Sequence, residues 1–278
     1  MLAHYKDIFM TPGEVENELG VPVLGMIPQI DDEGLRLVRD QNAFSPLMES
    51  FRTLRTHLRF ATLDRPAKTI TFISSIAAEG KSTVTANLAH VMAQDGKRVI
   101  VVDGDLRRPT QHKVFDLPIV PGLTDVLGGG RQLATMLRET DNPAIRVLPA
   151  GSIPPNPAEL LGSVVMADLL RELSALCDVV LVDSPPAVIV ADGLLIAHQT
   201  DATILVVDEE TTKKNVQQSM AMLARARANV IGTVFNRLRL GAGGRGYYYY
   251  GKYYVPTEEI EARTKVDDLA EETTGDQE

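Results

Sequence analysis

Six short runs rich in Val, Ile and Leu recur along the chain, at 69–74, 98–103, 145–149, 178–183, 202–207 and 230–235. Most are continuous and do not alternate with polar residues, which marks strands covered on both faces. Helix-length segments stand between or beside them at 81–94, 163–177, 191–199 and 212–228, and an amphipathic stretch at 46–60 precedes the first run. Alternation of this kind specifies an α/β fold, a mostly parallel twisted sheet with helices on both faces. Such sheets bind ligands at the carboxyl ends of their strands. The residues just after each apolar run are therefore the first places to look for chemistry. With 278 residues and 44% apolar composition the chain has ample material for a core, and it is neither globally disordered nor fibrous.

The run at 69–74 leads into Ser75-Ile-Ala-Ala-Glu-Gly80-Lys81-Ser82-Thr83 and then into a helical segment. Strand, loop, Gly-Lys-Ser, helix is the arrangement of a phosphate-binding P-loop. Glu79, Gly80, Lys81, Ser82 and Thr83 would line the cradle. Its backbone N–H groups and the helix N-terminus face phosphates, Lys81 reaches the β- and γ-phosphates of ATP, and the Ser82 hydroxyl ligates Mg2+. The pattern departs from the usual one at Ser75, where glycine is expected, and at Ala77 and Ala78. Alanine fits such a turn only where φ is negative. The alternative is an ordinary Gly-Lys-Ser turn.

Two further apolar runs end in carboxylates. One closes on Asp103-Gly-Asp105-Leu-Arg107 and the other on Asp183-Ser-Pro185-Pro186. Carboxylates at strand ends beside a phosphate loop can hold hydrated Mg2+ or accept a proton from an attacking hydroxyl. A strand-end Asp can also simply cap the following turn. Three of them in one P-loop chain favour the functional role.

Together these motifs resemble the bacterial tyrosine kinases of capsule and exopolysaccharide synthesis. That family carries a Walker A loop, a Walker A′ motif of form φφφDxDxR, a Walker B motif φφφDxxP and a C-terminal tyrosine cluster. The chain matches with Gly80, Lys81 and Ser82, with Asp103, Asp105 and Arg107, and with Asp183 and Pro186; Ala77-Ala78 stands where the family often has Pro-Gly. The resemblance spans 21–254 and includes Gly122-Leu-Thr-Asp-Val-Leu and Pro154-Pro-Asn-Pro-Ala-Glu-Leu-Leu161. It implies a P-loop autokinase using ATP and Mg2+. Lys81 and Ser82 bind nucleotide and metal, Asp103 and Asp183 support Mg2+ and its waters, and Asp105 orients or deprotonates the tyrosine hydroxyl. Arg107 stabilises phosphate charge or holds the motif; a plain surface ion pair is the alternative.

Six of the seven tyrosines, Tyr247, Tyr248, Tyr249, Tyr250, Tyr253 and Tyr254, fall in an eight-residue window beside five glycines. Consecutive identical residues match no buried face. The expectation is a flexible phosphoacceptor segment, 239–254, phosphorylated in trans; an aromatic binding patch or an RNA-stacking segment are the alternatives. An acidic tail, 255–278, follows with nine acids against Arg263 and Lys265, so most of the formal charge of −9 sits there. That charge argues against a nucleic-acid partner. Residues 1–238 then form the P-loop kinase domain, with 1–45 as a lead-in.

Glu49-x-x-Arg52-x-x-Arg55 on the early helix matches a family motif that joins subunits into a ring; an intrahelical salt bridge is the alternative. The resemblance further implies a transmembrane chain-length regulator as adaptor, with the segment Gly20–Pro28 resembling the stretch just after that membrane part. It also implies a cognate tyrosine phosphatase. The expected location is the cytoplasm, on the inner face of the cell membrane through the adaptor, either as a separate subunit or as an excised domain. No run approaches the roughly 18 apolar residues of a membrane span, and no basic-then-apolar leader is present. His4, His57, His90, His112 and His198 show no metal-ligand spacing. Cys177, the single cysteine, follows an apolar helical stripe and is expected in the core. The rivals to the kinase are a partition or septum-site ATPase switch, whose signature lysine would replace Ile76, and a weakly active nucleotide-binding regulator.

Overall fold

A computed structural model describes residues 7–9, 11–29, 37–38, 45–129 and 133–239. The tyrosine cluster and the acidic tail lie outside the described residues. In chain order the elements are α1 (Pro12–Leu19), β1 (Val23–Pro28), α2 (Pro46–Ala61), β2 (Thr69–Ser74), α3 (Lys81–Gln94) and β3 (Val99–Asp103). Then come α4 (Gln111–Val114), α5 (Leu123–Leu127), a 3-10 turn at Leu133–Thr135, β4 (Arg138–Glu139), β5 (Ile145–Leu148) and α6 (Pro157–Leu161). The last are α7 (Val164–Leu176), β6 (Val179–Asp183), α8 (Asp192–Gln199), β7 (Ala202–Asp208), α9 (Lys213–Arg225) and β8 (Val230–Leu238).

Among the described residues eight strands form one sheet in the order β1-β8-β7-β2-β6-β3-β5-β4. Every neighbouring pair is parallel except β4 with β5. The six central strands are the six apolar runs, with ends moved by at most a few residues. Their side chains alternate between two layers. Ile70, Phe72, Val99, Val101, Leu181, Ile204 and Val206 face the layer built with α2 and α3. Ile73, Ile100, Val102, Val180, Val182, Leu205 and Val207 face the layers built with α7, α8 and α9. Helices therefore cover both faces, which is why the strands read as unbroken apolar runs. Cys177 is buried in the α7 layer.

The structure adds elements inside the lead-in. α1 starts at Thr11, whose hydroxyl accepts the Glu14 N–H, and ends at Gly20 in the left-handed region. β1 then extends the sheet beyond β8. α2 is capped by Ser45 with Pro46 in its first turn, and buries Leu47, Phe51, Leu54 and Leu58 on one stripe. Leu54 packs over Gly25 of β1, where a Cβ would lie 3.0 Å from the Leu54 Cβ. α7 and α9 likewise begin on hydroxyl caps, Ser163 and Thr212. α3 differs from them: its N-cap is Gly80 and no side chain caps it. No described helix is long and apolar enough to cross a membrane.

Candidate active site

The site gathers at the carboxyl ends of β2, β3 and β6, next to one another in the sheet. β3 and β6 run in register, so Asp103 on β3 lies directly beside Asp183 on β6. Both are fully buried. The P-loop leaves β2 and delivers Lys81 into the same place. Its ammonium lies 3.2 Å from Asp183 Oδ1 and 3.5 Å from Asp105 Oδ2. Burial opposes the charge on Lys81, but Asp183, Asp105 and Asp103 together outweigh it and hold the ammonium above its usual range. With all three buried carboxylates ionised, the group would carry a formal excess of −2 over the one ammonium, the complement of a divalent cation.

Asp103 carries the strain of that excess. Its carboxyl is pushed up to about 8, first by burial and then by the negative charge of Asp183. The backbone N–H groups of Thr110 and Gln111, each 2.9 Å from Asp103 Oδ2, work the other way. Asp103 Oδ1 is buried with no hydrogen-bond partner. An orphaned buried carboxylate oxygen in a site of excess negative charge fits hydrated Mg2+, with Ser82, Asp103 and Asp183 as the residues to hold it.

Asp105 is fixed by its own loop. Its Oδ1 accepts the N–H of Arg107 (3.3 Å) and of Arg108 (3.0 Å), which leaves Oδ2 toward Lys81. Arg107 turns elsewhere, forking onto the buried Asp192 at the start of α8 with contacts of 2.7 and 3.2 Å. Arg107 is thus the half-exposed member of an ion pair whose other member is buried.

The P-loop keeps its shape through contacts from distant parts of the chain. Gly80 has φ +82°, and a Cβ there would stand 2.1 Å from the Asn236 amide nitrogen. Only glycine fits. Asn236 donates to the Glu79 carbonyl (2.9 Å), while Arg237 donates to the Ala78 carbonyl (2.6 Å) and pairs with Asp208 (2.5 Å). The Glu79 side chain folds back as a brace. It accepts the Ile76 N–H at 2.8 Å and the Thr211 hydroxyl, and burial raises its carboxyl above the usual range. Thr83 lies in the first turn of α3.

Residues 70–247 match the model of the CobQ/CobB/MinD/ParA nucleotide binding domain. The tyrosine-protein kinase YwqD of Bacillus subtilis (strain 168) is 39% identical over 204 residues, covering 73% of this chain and 86% of its own. The tyrosine-protein kinase CapB of Staphylococcus aureus, described as putative, is 34% identical over 209 residues, covering 75% and 92%. The chain belongs to the bacterial tyrosine-protein kinases. A solved structure, the chimerical protein CapA2B2, superposes on 82% of the kinase and 100% of its own chain with a TM-score of 0.77 and 35% identity.

Several residues of the kinase site escaped sequence reading. Gln111, Asp192, Thr211 and Arg237 lie in no motif. Asn236 and Asp208 do follow apolar runs directly, and that position was the available signal. Glu49, Arg52 and Arg55 form contacts within the chain. Arg52 pairs with Glu49 at 3.3 Å, and Arg55 donates to the Val91 carbonyl (3.1 Å) and faces Asp95 at 3.6 Å.

Two outcomes follow from the geometry. Ala78 adopts φ +67°, the left-handed region that disfavours a side chain. Ala78→Gly is expected to raise stability by about 0.5–1 kcal/mol, measured as a higher denaturation midpoint at unchanged slope. Asp103 keeps its proton in the folded chain between about pH 4 and about 8, where the unfolded chain has lost it. Its contribution to stability thus declines as pH rises through that window. In chelator, the melting temperature of wild type should fall from pH 5 to pH 8 more steeply than that of Asp103→Asn; parallel curves would contradict the shift.

Proposed function

We propose that the chain is an ATP- and Mg2+-dependent tyrosine autokinase that phosphorylates Tyr247, Tyr248, Tyr249, Tyr250, Tyr253 and Tyr254 in trans, and thereby regulates polysaccharide polymerisation and export. The buried group of Lys81, Asp103, Asp105 and Asp183 at the mouth of the P-loop carries this reading. When bound, Mg2+ supplies positive charge at the β- and γ-phosphates. Lys81 neutralises phosphate charge at the same place, and the uncapped N-terminus of α3 offers its amides to the phosphates. The γ-phosphoryl moves to a tyrosine hydroxyl oxygen as its bond to the β-phosphate oxygen breaks and ADP leaves. Asp105 Oδ2, beside Lys81, is the proton acceptor for that hydroxyl.

β8 supports the tyrosines as acceptors. Its end lies against the P-loop through Asn236 and Arg237, so Arg239, the last described residue, stands at the end of the strand that braces the site. The partners of this reading are further copies of the kinase, a transmembrane chain-length regulator that brings it to the inner face of the membrane, and a tyrosine phosphatase that resets it. Each phosphotyrosine adds about −1.5 to −2 charges next to the acidic tail, and this repulsion loosens the assembly.

The test mixes two variants, neither of which can label itself. Lys81→Met keeps the acceptors and lacks activity; a chain with all six tyrosines changed to Phe keeps activity and lacks acceptors. With ATP and Mg2+, phosphotyrosine should appear on Lys81→Met only in the mixture. A wild type that stays unmodified would sink the kinase reading, and labelled wild type with an unlabelled mixture would sink the trans step. Replacing Glu49, Arg52 and Arg55 with Ala should give a monomer by light scattering. Because Arg55 also ties α2 to the end of α3, a melting curve must show that the variant is folded. An unchanged assembly would refute the ring contact.

A further inference from the structure

Among the described residues, Gln111 hydrogen-bonds to both strand-end carboxylates, Asp103 and Asp183, and to the backbone carbonyl of Ser82. Its backbone N–H donates to Asp103 Oδ2 at 2.9 Å. Its side-chain Nε2 donates to Asp183 Oδ2 at 2.8 Å and to the Ser82 carbonyl at 3.1 Å. The side chain is wholly buried. Two acceptors around one end of the amide fix its orientation: the NH2 must face Asp183 and Ser82, and Oε1 must point away. That oxygen is buried and has no partner, as is Asp103 Oδ1. Leaving a buried amide oxygen bare costs stability, so a residue used only as packing would not be built this way.

We propose that Gln111 is a positioning residue of the cation site, holding Ser82, Asp103 and Asp183 in one constellation through its backbone and side-chain N–H groups. The role rests on the nucleotide-and-metal part of the proposed function and not on the tyrosines. It explains why the loop after β3 folds over the site: two repelling carboxylates on adjacent strands need donors, and the chain from 110 to 111 brings three of them. Residues outside the metal's direct shell commonly change affinity by about 10–100-fold when removed.

Mn2+ is the probe, with the full chain and a non-hydrolysable ATP analogue, free metal being counted by electron paramagnetic resonance. Gln111→Leu fills most of the volume and removes both polar ends; Gln111→Asn keeps the amide but is one methylene too short to span Ser82 and Asp183. Both should bind Mn2+ at least 10-fold more weakly than wild type, while affinity for the analogue in chelator stays within about twofold. Equal Mn2+ affinity in either folded variant would overturn the proposal, as would parallel loss of metal-free nucleotide binding, which marks a collapsed loop. If Gln111→Leu does not fold, Gln111→Asn decides. A wild type that binds no Mn2+ also overturns it. The assay has no acceptor step, so a failed phosphotyrosine experiment with separated Mn2+ curves would sink the kinase reading and leave Gln111 in place.

Discussion

The repulsion between Asp103 and Asp183 organises the site. Parallel strands in register put equivalent positions side by side, and here both positions carry a carboxylate in the dry interior of the sheet. Such a pair stands only if charge or donors are brought to it. Lys81 arrives from the P-loop, the Thr110 and Gln111 amides from the loop after β3, and the Gln111 side chain from α4. Burial, and then the negative charge of Asp183, outweigh that supply and hold the Asp103 carboxyl well above the usual range. A site short of positive charge without its ion is prepared to bind one.

The second constraint is the P-loop without its usual glycine at Ser75 and with Ala77-Ala78 in place of Pro-Gly. Local chemistry would leave such a loop poorly defined, yet Ala78 is held in the left-handed region. The energy for that comes from outside the loop. Arg237 takes the Ala78 carbonyl, Asn236 takes the Glu79 carbonyl, and the Glu79 carboxylate closes the turn onto Ile76 and Thr211. The shape of the nucleotide loop is thus set by the ends of β7 and β8, more than a hundred residues away in sequence.

What was legible in the chain follows from this. The central strands and their helices were visible because burial on both faces writes a continuous signal, and Gly80-Lys81-Ser82, Asp103, Asp105 and Asp183 were visible because they sit at fixed places relative to those strands. β1 was not visible: it is an edge strand interrupted by Gly25, and its partner β8 is two hundred residues on. α1 did carry a signal, Thr11-Pro12 at one end and Gly20 at the other, that went unread. Gln111 carried none. Its role exists only because β3 and β6 become neighbours, a tertiary fact that no local pattern records. Arg107 was left open for the same reason, since Asp192 is its partner only once α8 is packed.

β8 joins these constraints to the segment that carries the tyrosine cluster. It braces the P-loop through Asn236 and Arg237, and then Arg239 is tied to Glu209 through its backbone N–H (2.9 Å) and to Glu210 through its guanidinium (2.5 Å). The chain therefore leaves the sheet from a fixed point beside the site. Tyr247 stands eight positions beyond Arg239 and Tyr254 fifteen. At no more than about 3.5 Å per residue, a fully extended chain would reach roughly 28 Å to the first and roughly 53 Å to the last. On the proposed function, the site of a neighbour that receives these tyrosines stands within that reach of Arg239, so the length of the segment bounds how far apart two such copies can be.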